Sequence, residues 1–120
     1  MEEKKADNRL IENKNKMNEI NSKLDYEKNK MKRLDDMEEL FVSLNKDINK
    51  CVELLGESIK GKNVSRKLNS VQENSNINLK KGMVNIEEER ANIKQNITKL
   101  SNEKDDLIEE MKKEKKEEDN

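Results

Sequence analysis

Cys51 is the only thiol in this sequence, and histidine is absent from it altogether. The side chains that most often bind zinc or iron, or that serve as the base beside a serine or cysteine nucleophile, are therefore missing or alone. Carboxylates are plentiful, and Glu87-Glu88-Glu89 sets three in a row. General acid-base work would need one of them held in a pocket, whereas on a charged helix they are solvated surface groups. Gly56, Gly61 and Lys62 form the one glycine-lysine cluster, but no strand leads into it and its spacing is not that of a phosphate-binding loop. No catalytic residue, metal ligand or cofactor site is expected, and the chain does not read as an enzyme. Nucleic acid is not an expected partner either. The 26 basic and 27 acidic residues nearly cancel, and Tyr26 and Phe41 are too few to build a stacking platform.

What remains must come from the elements. Over 120 residues only 30% are hydrophobic while 44% are charged, so any core is thin. The balanced charge removes the self-repulsion of strongly charged disordered chains, and no proline interrupts a helix. An all-α chain forming a single domain over residues 1–120 is predicted. No apolar run reaches the length of a signal sequence or a membrane span, so no membrane insertion is expected and the expected location is cytoplasmic.

Two apolar stripes at steps of three and four define the helices. The first runs from Leu10 through Met17, Ile20, Leu24, Met31 and Leu34, then slips by three to Met37 and continues through Phe41, Leu44, Ile48, Cys51 and Leu55. On that stripe Cys51 reads as a small core residue. The second runs from Val64 through Leu68 and Val71, passes Ser75, and continues from Leu79 to Met111. Helix 1 is predicted over about 5–55 and helix 2 over about 64–114, with a turn at 56–63 and a frayed charged tail at 115–120. Gly56 would end the first helix in left-handed geometry, Gly61 lies in the turn, and Asn63 would cap the second helix. Folding the chain back here superposes the stripes layer by layer. Leu55 then meets Val64, Phe41 meets Leu79, Leu44 faces Ser75, Leu24 meets Ile97 and Leu10 meets Met111, with Arg90 within reach of Glu27. The expected architecture is a long antiparallel two-helix hairpin, coiled-coil-like and marginally stable by itself.

The segment before the turn has more apolar residues than one seam uses. Leu40, Val42, Val52 and Leu54 join Phe41, Leu44 and Ile48, and on helix 2 Ile77, Val84 and Ile108 lie beside the main stripe. This excess has two explanations: a wider buried face, or a partner-binding surface that receives another helix. Gly82, within helix 2, either permits close approach opposite Met37 and Phe41 or is simply tolerated.

Three stretches, Leu40-Phe41-Val42-Ser43-Leu44, Lys67-Leu68-Asn69-Ser70-Val71-Gln72-Glu73 and Ile86-Glu87-Glu88-Glu89-Arg90, carry a likeness that extends over nearly the whole chain. The chain resembles the small α-helical accessory proteins of Gram-positive bacteria that accompany LXG toxins through type VIIb (Ess) secretion. The resemblance implies a targeting factor or chaperone lying along the helical N-terminal LXG domain of a toxin, beside a second small helical accessory protein, in a pre-secretion complex. Leu54-Leu55-Gly56 stands where secreted hairpins carry tryptophan-x-glycine, and Tyr26-Glu27-Lys28-Asn29-Lys30 lacks an acidic residue four positions after the tyrosine. The resemblance therefore implies that the partner supplies the export signal and that this chain stays cytoplasmic or is co-exported with it. The alternative is a self-associating coiled-coil scaffold that forms a homodimer.

Overall fold

The computed structural model describes the backbone of residues 2–119 and the side chains of residues 5–117. Two helices, α1 (Glu2–Ser58) and α2 (Lys62–Asp119), hold every described residue except 59–61, and no strand occurs among them. The protein is an all-α helical hairpin. A chain rich in lysine and glutamate, free of proline, has little to stop a helix once tertiary packing has started it.

The helix ends differ from those the sequence predicts. Gly56 lies inside α1, and no described glycine has positive φ. The Ile59 amide donates to the Leu55 carbonyl at 2.8 Å, so the helical turn closes past the glycine. The Ser65 amide donates to the Gly61 carbonyl at 3.0 Å. That places Gly61, and not Asn63, at the residue preceding α2, a position glycine tolerates. Residues 115–119 extend α2 where a frayed tail is expected, with Lys116 in the last turn beside the unpaired carbonyls. Asn120, the last residue of that expected tail, lies outside the described residues.

The chain divides into two compact units: an arm unit of Met1–Met31 with Asn92–Asn120, and a turn unit of Lys32–Ala91. In the arm unit, α1 turns Asn13, Met17, Ile20, Leu24, Glu27 and Met31 inward, an unbroken alternation of four and three. Across from them α2 buries Ile93 and Leu107 and half-buries Ile97 and Leu100. Two buried polar residues are satisfied across the pair. Asn13 Nδ2 donates to Glu114 Oε2 at 2.9 Å, and Asn96 Nδ2 donates to Glu27 Oε2 at 3.3 Å. Glu27 Oε1 also pairs with Lys30 Nζ at 3.0 Å, whose ammonium lies 4.6 Å from the Tyr26 ring centre. Glu27 is thus held by Lys30 and Asn96.

In the turn unit the same alternation continues on α1 through Leu34, Glu38, Phe41, Asn45, Ile48 and Val52. The predicted slip to Met37 does not occur. Two consecutive three-residue steps would overwind the seam, whereas four-three alternation holds it on one side of the helix. The polar residues that this spacing brings inward have partners. Asn45 Nδ2 donates to Ser75 Oγ at 3.0 Å and to Asn76 Oδ1 at 2.9 Å, while Glu38 bonds Arg90. Met37, Leu44, Cys51 and Leu55, expected in the seam, are exposed, and Val71 on α2 joins them. Leu10, expected opposite Met111 in the arm unit, is exposed as well.

The hydrogen-bonded and close pairs also join higher-numbered residues than those the fold-back sets side by side. Phe41 meets Gly82, and Asn45 bonds Ser75, while Leu44 and Leu79 border the same groove. Helical side chains lean toward their own N-terminus, so in an antiparallel pair contacting residues carry higher numbers on both helices than residues at the same height.

Candidate functional site

With the four-three seam in place, the apolar residues it excludes are themselves regularly spaced. Met37, Leu40, Leu44, Cys51 and Leu54 follow one another on α1 at intervals of three, four, seven and three. At 3.6 residues per turn they make a second strip, rotated about 100° around α1 from the seam. Met37 is 44% exposed, Leu40 56%, Leu44 48% and Leu54 60%, and Cys51 is exposed too. Leu44 also borders an open groove between the two helices of the turn unit, where Phe41, Ile48 and Leu79 form the apolar floor and Asn45, Ser75 and Asn78 the polar part.

The residues expected at a partner surface separate accordingly. Leu40, Leu44 and Leu54 lie on the strip. Phe41 and Ile48 are half-buried in the seam and reach the groove. Val52, 9% exposed, belongs to the core of the turn unit and not to any surface. Val42 is exposed beside Glu38, Glu39 and Lys46, away from the strip. Ile77 and Val84 are exposed on α2, seven residues apart. Ile108 is half-buried in the arm unit. Gly56 packs at the α1 end, where an added Cβ would lie 4.0 Å from Leu68 Cδ1, and one at Gly61 would meet nothing within 4 Å. Met37 and Cys51 are members of the strip that apolar patterning assigns to the seam. The legible signal for them is the uninterrupted four-three count through Glu38 and Asn45.

Beside the strip, the strongest electrostatic feature is Arg90, whose side chain is 15% exposed. Its Nη2 pairs with Asp35 Oδ1 at 2.8 Å and with Glu38, and its Nη1 with Glu87 Oε1 at 2.6 Å. The hydrogen bond that Arg90 donates to Glu38, then the one it donates to Asp35, holds the guanidinium charged well above its ordinary range, against a smaller opposing effect of desolvation. All the charge at Arg90 is answered within the unit, so the cluster fixes the pairing of α1 with α2 and is no anion site.

Comparison with known proteins returns no relative. No family model matches the chain, and no curated protein and no solved structure matches it. Among the described residues no group of three or more histidine, cysteine, aspartate or glutamate side chains could hold a metal ion, and no helix is long and apolar enough to cross a membrane. What the strip offers chemically is apolar area at helical spacing. Covering a leucine side chain fully is worth about 1.5–3 kcal/mol, so five half-exposed residues offer a partner helix on the order of 5 kcal/mol before the costs of association.

Proposed function

We propose that this protein is a helix-binding accessory factor that docks the helical N-terminal LXG domain of a type VII secreted toxin and escorts it as a targeting factor or chaperone. The observation that carries this reading is the strip Met37, Leu40, Leu44, Cys51 and Leu54, an apolar surface at helical spacing that the hairpin leaves uncovered. An amphipathic helix laid along it supplies the missing apolar layer in the way helices fill grooves elsewhere. Support also comes from the sequence likeness to LXG accessory proteins, since Leu40 and Leu44 lie in one of the stretches that carry it. In this reading a second small helical protein completes the complex, and the toxin brings the export signal.

Co-expression with the N-terminal domain of an LXG toxin encoded beside this chain, followed by light scattering after size exclusion, tests the proposal. The expected result is a defined hetero-complex that is lost in Leu40→Glu/Leu44→Glu, a double variant whose circular dichroism matches the parent because both residues are exposed. A stable homo-oligomer indifferent to the toxin domain would sink it.

A further inference from the structure

We propose that, when no other helix covers the strip, two copies of this chain cover each other's, with their α1 helices antiparallel. The inference rests on the strip being a docking surface, as above, and adds its resting occupant.

The strip reads the same in both directions. Including Asp47, its positions Met37, Leu40, Leu44, Asp47, Cys51 and Leu54 alternate three, four, three, four and three, so a copy turned end for end meshes with it. Met37 then faces Leu54 of the second copy, Leu40 faces Cys51 of the second copy, and Leu44 faces Asp47 of the second copy, each layer being repeated by the two-fold axis. Four of the six layers are wholly apolar in this register, and sliding the pairing by one heptad in either sense leaves two. A parallel pairing would set Asp47 against Asp47 in a layer being closed to water, where like charges repel most. The antiparallel one separates them and places each against a leucine at the wet centre. Covering both strips removes somewhat under 1,000 Å² from water, by a rough count of five half-exposed side chains per copy, which is at the low end for specific interfaces. The resting dimer is therefore weak and exchangeable, as a surface kept for another partner requires.

Sedimentation of the full chain from micromolar to submillimolar concentration reads the dimer directly. Mass is expected to rise with concentration, Asp47→Leu to tighten association by about tenfold or more, and Leu44→Glu to abolish it. Direction is read by oxidation. Leu40→Cys is expected to give a disulfide-linked dimer through Cys51 of the second copy, while the parent chain gives none because its two Cys51 residues stand about 16 Å apart along the axis. Linkage in the unsubstituted chain overturns the antiparallel pairing, and a monomer at every concentration, Asp47→Leu included, overturns the dimer. A monomer that still binds the toxin domain overturns this inference alone. A strip-dependent dimer that ignores the domain supports it and overturns the functional reading.

Discussion

Gly82 of α2 lies against the ring of Phe41 of α1, so closely that a Cβ at position 82 would stand 3.1 Å from Cε2 and 3.2 Å from Cδ2. The glycine is a spacer for the aromatic ring, and its helical cost of about 1 kcal/mol is what lets Phe41 enter the seam. Gly82→Ala should therefore be near neutral in the parent chain, because the gain in helix propensity is offset by crowding. In a Phe41→Leu background the same change should stabilise by about 1 kcal/mol. Urea unfolding of the four variants measures the coupling, and equal effects in both backgrounds would show that the ring yields freely.

Arg90 holds together three carboxylates drawn from both helices of the turn unit. Arg90→Met should lower the melting temperature more at low ionic strength than at high, since the partners Asp35 and Glu87 are largely exposed and screened by salt. Arg90→Lys should fall between, keeping the charge but losing the fork. The folded state raises the guanidinium pKa, so its contribution is complete below the ordinary value and lost only as pH rises through the higher one. The difference between parent and Arg90→Met should accordingly stay constant from neutral to moderately alkaline pH, as thermal melts across that range will show.

Glu27 is buried in the arm unit with Lys30 and Asn96 as its partners. Replacing a buried, hydrogen-bonded charge with a well-packed apolar group is often stabilising. Glu27→Leu should raise stability by about 1–2 kcal/mol in chemical unfolding. A loss of stability would mean that the Lys30 and Asn96 contacts outweigh the desolvation of the carboxylate.

Val52 and Leu44 exchange the roles that apolar patterning gives them. Val52→Ala removes buried methyl groups and should cost about 1–2 kcal/mol, whereas Leu44→Ala on the exposed strip should stay within about 0.5 kcal/mol. The reverse order, measured by denaturant titration, would place the slipped seam back in the molecule.

Helix content, the position of the turn and the antiparallel pairing are legible in the sequence because they follow from the absence of proline, the one glycine-bearing break and the two stripes. The seam of the turn unit is not, because there identity and spacing disagree. Met37, Leu44 and Cys51 look like core and are spaced like surface, while Glu38 and Asn45 look like surface and are spaced like core. Spacing wins since Arg90, Ser75 and Asn76 across the pair satisfy the polar groups it buries. Those partners sit some thirty to fifty residues away along the chain, where reading one helix at a time does not find them. The partner surface is half legible for the same reason. Leu40 and Leu54 stand out as surplus, and Met37, Leu44 and Cys51 are hidden by their resemblance to a seam.

Cys51 is the chain's one thiol, and it stands exposed on the strip, one strip position before its Leu54 end. The protein thus carries a built-in reporter at the place where occupancy matters. The rate at which a maleimide labels it measures how often that patch is open to solvent, with no engineered probe and no knowledge of what has come to lie over it.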